Sequence, residues 1–209
     1  MKKTLEIIRS AYSNGLHGEA AQYKMAPADR SGIADLDFKK LQPRLAAVLL
    51  LVYPLEGEAH MVFTKRHEYE GVHGGQISFP GGEIEDSDNN LRDTALRETE
   101  EELSVDRKKI EIIGELSDLY ISPSNFLVTP YLGYSLNTPE FLPDEYEVAS
   151  VLQLSLSDII HKEAIESKIR ISDNSYLKVP AYIHKGNIIW GATAMMLSEF
   201  ISMIRETSS

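Results

Sequence analysis

Three carboxylates, Glu98, Glu101 and Glu102, fall at i, i+3 and i+4 in the segment Leu91-Arg-Asp-Thr-Ala-Leu-Arg-Glu-Thr-Glu-Glu-Glu-Leu103. On a helix all three share one face, while Glu100 turns roughly 100° away from Glu101 and reads as solvated. Each like-charged pair at this spacing costs about 0.2–0.5 kcal/mol. The trio also stands near the helix C-terminus, where the macrodipole disfavours negative charge. Several local rules are broken together, which marks a functional site. Hard divalent cations resolve the conflict. Oxygen-only ligands in a chain without cysteine suit Mg²⁺ or Mn²⁺ better than zinc. Such ions bridge phosphate oxygens, neutralise charge that builds during substitution at phosphorus, and acidify an attacking water.

The plainer alternative is a solvated acidic face, with Arg97 paired to Asp93 or Glu101 one turn away. A calcium loop opening at Asp86-Ser-Asp88-Asn-Asn90 is excluded: Leu91 takes the sixth position in place of glycine and Arg97 the twelfth in place of glutamate.

The elements that must position these residues follow from periodicity and turn signals. Asp88 is read as the N-cap of a helix running to about Leu103. Pro80-Gly81-Gly82 before it is read as a turn. Leu45–Tyr53 is a continuous apolar run, as expected of a strand buried on both faces. His60–Arg66 and Gln76–Phe79 follow as strands, then Lys109–Ile121, Phe126–Leu136 and Glu147–Leu154. Lys178–Ile183 and Asn187–Trp190 suggest a hairpin turning at Lys185-Gly186. Apolar spacing at Leu5, Ile8 and Tyr12 predicts an N-terminal helix. Ser157–His161 starts a short helix, and Ala192–Ile204 closes the chain as an apolar one. Residues 16–43 read as a loop-rich approach. Strands and helices mix without regular alternation, which favours an α+β fold: an α/β/α sandwich of a mixed sheet flanked by helices. Residues 1–43 are expected to form a helix and approach segment packed on a domain spanning 44–209.

Composition narrows the function. Across 209 residues, 43% hydrophobic and 25% charged content supports a packed core. A formal net charge of -11 repels nucleic-acid backbones and anionic membranes. Cysteine-ligated metals and thiolate catalysis are excluded. Charges at Lys2, Lys3 and Glu6 come too early for a signal peptide, and no apolar run is long enough to span a bilayer. The reading is a cytoplasmic protein with a small-molecule partner. A homodimer stays open, because the apolar hairpin and last helix suit either core or interface.

Gly82, Arg97-Glu98 and Glu101-Glu102 together resemble the Nudix box, although Gly82 and Arg97 lie one residue further apart than in the generic box. Asp88 stands where a glutamate is usual, and Ser104 replaces the usual final glycine. Phe63-Thr-Lys-Arg66, Gly75-Gln-Ile-Ser-Phe-Pro-Gly-Gly82 and Thr94-Ala-Leu-Arg-Glu98 resemble the coenzyme A pyrophosphatase branch of that superfamily, which shares the longer spacing. Ser122–Pro130, Glu147-Val148 and Ile189–Ala194 resemble its later segments. The resemblance implies a Nudix fold in which Glu98, Glu101 and Glu102 bind Mg²⁺ or Mn²⁺. It further implies that the Gly82 carbonyl adds a ligand and that Arg97 is structural.

The implied activity is metal-dependent hydrolysis of a phosphoanhydride in coenzyme A or a derivative of it. Gly71 stands where the branch carries arginine, so another nucleoside diphosphate derivative, such as ADP-ribose or a dinucleotide, is the alternative. A non-catalytic nucleotide-binding regulator is the alternative of another class. Glu147, after a flexible Pro143-Asp-Glu-Tyr loop, is a second candidate base beside Glu98, and Arg66 at a strand end a candidate phosphate clamp. Phe79 reads as a packing residue, and so does Trp190, for which the branch resemblance keeps a pocket role open; His67 and His73 read as surface histidines.

Overall fold

The computed structural model describes residues 1–27, 32, 36–67, 75–172 and 175–207. Its centre is β1 (Arg44–Leu55), a run of aliphatic residues whose alternation divides the core. Ala46, Leu50 and Val52 join one buried cluster; Ala47, Leu49, Leu51 and Tyr53 join another on the opposite face. A strand buried on both faces needs no polar alternation.

Around it lie β2 (Glu58–Arg66), β3 (Ile77–Ser78), β4 (Gly81–Glu83), β5 (Glu111–Glu115), β6 (Leu119–Ile121), β7 (Phe126–Tyr134) and β8 (Val148–Ser155). These form an eight-stranded sheet with a path β3-β2-β1-β7-β5, β4 pairing with β1, β6 with β7, and β8 with β2. β1 and β7 run parallel and the other pairs antiparallel, so the sheet is mixed. A smaller antiparallel sheet holds β9 (Ile165–Ser172), β10 (Ser175–His184) and β11 (Asn187–Trp190).

Helices cover both faces. α4 (Leu91–Leu103) lays Ala95, Leu96 and Leu103 on the Leu49–Leu51 side. α1 (Lys2–Ser13), the short α5 (Leu156–Ile160) and α6 (Gly191–Thr207) pack on the other. The layers are those of the expected α/β/α sandwich. α6 proves to be core, since Met195, Leu197, Phe200 and Ile201 are all buried. No helix among the described residues is long and apolar enough to cross a membrane.

Several expectations are corrected. Residues 16–43 contain α2 (Gly18–Gln22), a 3₁₀ turn at Tyr23–Met25 and α3 (Phe38–Leu41). The first two are fixed by side chains of α6. The fully buried Glu199 carboxylate accepts from Gly18 N (2.9 Å) and Gln22 Nε2 (3.0 Å). His17 meets Ser202 Oγ and Glu206 Oε2, each at 2.8 Å. Glu199 also explains why Lys109–Ile121 is not one strand: it takes the Ser117 Oγ–H (2.7 Å) and N–H (3.3 Å), breaking the run between β5 and β6. β9 is absent from the expected strands, since an edge strand that is largely exposed carries only a thin apolar pattern.

Pro80-Gly81-Gly82 is no turn. The Leu49 N–H donates to Pro80 O (2.9 Å), and Gly81–Glu83 pairs with Ala46–Val48. Gly81, at φ +151°, lies so close to β1 that a Cβ would stand 2.2 Å from Ala47 O. The glycine serves close approach of two backbones. Asp88 is not the N-cap of α4 either. Asn90, extended at φ -167°, accepts the Asp93 N–H with its side chain. Another partner claims Asp88.

Removing the Asn90 cap by Asn90→Ala is expected to cost about 1 kcal/mol in urea unfolding. Gly81→Ala, which forces a Cβ into the β1 backbone, should cost more. An equal or smaller loss at Gly81 would contradict the tight β4–β1 approach.

Candidate active site

The partner of Asp88 is Arg97. The Arg97 side chain is only 8% exposed, and Asp88 only 3%. Nε and Nη2 donate to the two Asp88 oxygens, each at 2.9 Å, as a bidentate pair. Nη1 donates to Glu98 Oε1 (2.8 Å) and Glu101 Oε2 (2.9 Å), and Nη2 also reaches Glu83 O (3.2 Å). Asp88 receives the Thr94 hydroxyl and the Glu85 N–H as well. The guanidinium holds the Asp88 carboxyl well below the usual carboxylate range. This network ties the segment after β4 to the middle of α4. Of the two partners expected for Arg97, Glu101 is one; Asp93 instead takes the Asn89 amide (2.7 Å).

The three glutamates share a face but differ in environment. Glu98 is half-buried, Glu101 is exposed and Glu102 is buried at 5%. Glu100 is not simply solvated; it pairs with Arg107. Burial raises the Glu98 carboxyl, with Glu101 and Glu147 adding to the effect against the opposing Arg97. Glu102 is pushed up to about 8, first by burial. The charges of Glu98 and Glu147 push it the same way, while Arg66 and a hydrogen bond from the Gly81 backbone oppose them. Glu147 and Arg66 therefore face the cluster electrostatically.

Gly82 lies directly against it. A Cβ there would stand 2.5 Å from Glu98 Cδ, so any larger residue displaces that carboxylate.

Arg66 ends β2 at a register shift against β8, between Lys65 and Arg66. Such bulges re-aim side chains beside functional sites. The loop before Glu147 is not free as expected. Leu142 N–H and Asp144 N–H donate to the α4 carbonyls of Leu103 (3.1 Å) and Glu102 (3.0 Å). Ser104, left-handed at φ 57°, donates its hydroxyl to Leu142 O (2.8 Å). His67 is exposed, yet its Nε2 meets Glu145 O at 2.9 Å.

Asp88, Asp144, Ser104 and His67 were not singled out as parts of this assembly. Asp88 and Ser104 left a trace, each as a departure within the box. Ser104, Asp144 and His67 act through backbone groups distant in sequence. Phe79 packs as expected, stacked on Phe63 at 4.8 Å. Trp190 takes the second of its two expected places, half-buried in the wall of a cleft. Gly71 and His73 lie outside the described residues.

The donor set suits a hard cation. Glu102 Oε2 is buried with no hydrogen-bond partner, a costly state for a carboxylate oxygen that an oxygen-seeking ion would relieve. Among the described residues no three acids or imidazoles are already drawn close enough to enclose an ion. Glu101 is turned onto Arg97 and is 59% exposed.

A family model described as NUDIX domain matches residues 43–171. Curated relatives include the uncharacterized Nudix hydrolase NudL of Yersinia enterocolitica, 27% identical over 76% of this chain and 80% of its own length. The protein of that name in Yersinia pestis is 29% identical over 77% and 80%. Similar solved structures include a MutT/nudix family protein from Enterococcus faecalis, with TM-score 0.52, 15% identity and coverage of 90% of this chain and 74% of that one. Another is the Nudix hydrolase RenU from M. smegmatis, with TM-score 0.51, 16% identity and coverage of 79% and 86%.

Two outcomes follow from this geometry. Asp88→Ala strands a buried guanidinium and is expected to lower stability by about 3 kcal/mol, read by urea unfolding; a loss as small as a surface change would contradict the pairing. For Glu102 the folded carboxyl holds its proton more tightly than the unfolded chain does. Its contribution to stability therefore falls as pH rises from the usual glutamate range toward about 8. In EDTA, Glu102→Gln should remove that loss and raise Tm at pH 8 by roughly 4 °C. A variant that melts lower than the parent at pH 8 would refute the assigned burial.

Proposed function

Because this chain belongs to the NUDIX domain family and is a Nudix hydrolase, we propose that its carboxylate cluster hydrolyses a phosphoanhydride bond in coenzyme A or a coenzyme A derivative. The observation that carries the reading is the partnerless buried oxygen of Glu102, set among Glu98, Glu147 and Arg66. Glu98, Glu101, Glu102 and the Gly82 carbonyl would hold Mg²⁺ or Mn²⁺. When bound, such an ion neutralises the diphosphate oxygens and lowers the pKa of a water.

The chain's own residues would do the rest. Glu98 or Glu147 accepts a proton from the water as its oxygen bonds to phosphorus. The P–O bond to the bridging oxygen breaks, and that oxygen leaves on the other phosphate. Arg66 offers a fork of donors to the diphosphate. Arg97 takes no part in bond making. It fixes Glu98 and the loop from Glu83 to Asp88 so that the acids stay within reach of the substrate.

Support for coenzyme A comes from the segments Gly75–Gly82, Ser122–Pro130 and Ile189–Ala194. The presence of Gly71 in place of arginine favours the second reading, another nucleoside diphosphate such as ADP-ribose or a dinucleotide. A panel of these compounds with Mg²⁺ and an EDTA control separates the two. Release of 3′,5′-ADP from coenzyme A is the expected result, while AMP from ADP-ribose as the sole product would favour the second. Glu102→Gln should lower turnover by two or more orders of magnitude, on the order of losing a key electrostatic group, with the fold intact. Near-normal turnover by that variant in Mg²⁺ would defeat the assignment.

A further inference from the structure

His67 follows Arg66 at the end of β2 and joins three parts of the site. Its carbonyl accepts the Gly75 N–H (3.0 Å), tying the strand end to the segment that runs into β3 and β4. Its ring Nε2 meets Glu145 O at 2.9 Å. A carbonyl only accepts, so Nε2 carries the proton. The neutral Nε2–H tautomer and the imidazolium both offer that donor, and the contact holds in either charge state of the ring.

Glu145 belongs to the strap that leads to Glu147. On its other side the strap is tied to α4, where the Asp144 N–H donates to Glu102 O (3.0 Å). Between these ties the chain turns tightly about Asp144. The Val148 N–H (2.9 Å) and Glu147 N–H (3.3 Å) donate to Asp144 O, and the Tyr146 N–H donates to Asp144 Oδ1 (2.7 Å). A closed path results, from Arg66 to His67, across to Glu145, back to Asp144 and across to Glu102. Glu147 stands just beyond this path, and its charge acts on both Glu98 and Glu102.

Other forces hold this turn weakly. Residues 142–147 are all exposed, so little apolar burial fixes them, and such segments open locally at low cost. The β2–β8 ladder slips just here, with Lys65 opposite Ser150 but Arg66 opposite Val148. A bulge interrupts the pairing where it occurs, and Glu147 precedes the first residue of β8. The placement of the acid therefore falls to the two ties, one from α4 and one from the His67 ring.

We propose that His67 is a positioning residue for Glu147. Its ring holds the strap so that the acid stays at the Glu102 cluster, and losing it slows turnover without weakening substrate binding. The proposal rests on the functional reading above, in which Glu147 is a candidate base, and it requires that Glu147 contribute to the rate.

The hold is measured first without turnover, by amide hydrogen exchange at Val148 in the metal-free protein, with β1 amides as the control for global stability. His67→Leu should speed exchange at Val148 roughly fivefold, as the loss of one hydrogen bond implies. His67→Gln, whose amide donates at similar reach, should restore the parent rate. Unchanged exchange in the leucine variant overturns the proposal, as does a glutamine variant that behaves like leucine. Turnover of the diphosphate panel with Mg²⁺ is the second readout. His67→Leu should lower kcat about tenfold, as a displaced reacting group implies, with KM within about twofold of the parent. A raised KM at unchanged kcat means that the residue acts on substrate binding, and overturns the proposal. In a Glu147→Gln background His67→Leu should cost nothing further, because no acid is left to position. Additive losses overturn the proposal, and so does full turnover by Glu147→Gln alone. A parent protein that turns over none of the panel sinks the hydrolytic reading instead, and the exchange at Val148 still decides whether His67 holds the strap.

Discussion

One buried guanidinium sets the terms for the acidic cluster. Arg97 has five N–H donors, and five hydrogen bonds use them, on Asp88, Glu98, Glu101 and the Glu83 carbonyl. A single positive charge thereby meets three carboxylates. Its strongest geometry, the bidentate fork, goes to Asp88, the acid furthest from the glutamate cluster in sequence. Glu98 and Glu101 share one nitrogen, and Glu102 receives none of the five. The surplus of negative charge is left on the face where Glu102 is buried. The cost of burying a carboxylate exceeds the few tenths of a kcal/mol of like-charge repulsion along a helix. Burial of Glu102, rather than crowding of the trio, is the larger electrostatic cost on this face.

The C-terminal end of α4 is an unfavourable place for these acids, and the chain meets the difficulty with backbone. The last carbonyls of a helix lack partners within it; here Leu142 and Asp144 supply the N–H groups. The same strap reaches Ser104 and His67 and ends at Glu147. Capping the helix and delivering a fourth acid are one act. Ser104 shows how a departure from glycine is tolerated. A serine in the left-handed region is strained relative to glycine, and its hydroxyl bond to the Leu142 carbonyl offsets part of that cost.

Much of this was legible because it is written locally. The i, i+3, i+4 spacing, the double-sided apolar run of β1 and the hairpin at Lys185-Gly186 each depend on residues close in sequence. What was not legible depends on partners far apart. Asp88 has the chemistry of an N-cap, and nothing near it says that a buried arginine nine residues on will claim it and leave the cap to Asn90. Gly81-Gly82 has the chemistry of a turn. That these glycines allow β4 to press against β1, and Glu98 to press against Gly82, becomes visible only once β1 is in place. The break between β5 and β6 is set by Glu199, a residue some eighty positions later.

The strongly acidic composition poses a last question, how such a protein attracts an anionic ligand at all. Net charge acts at a distance, but at physiological ionic strength fields between exposed charges fade beyond about 8 Å. Within that range the local arrangement decides. Arg66 stands on one face of the β2 end and Lys65 on the other, with Arg170 across the cleft wall. The alternation that divides β1 into two hydrophobic faces divides these cations too. One strand end then carries a basic residue on each side, Arg66 on the side of the Glu102 cluster and Lys65 on the side of the cleft. Under the functional reading proposed above, local charge at this strand end, and not the net charge of the chain, would govern the approach of a small anion.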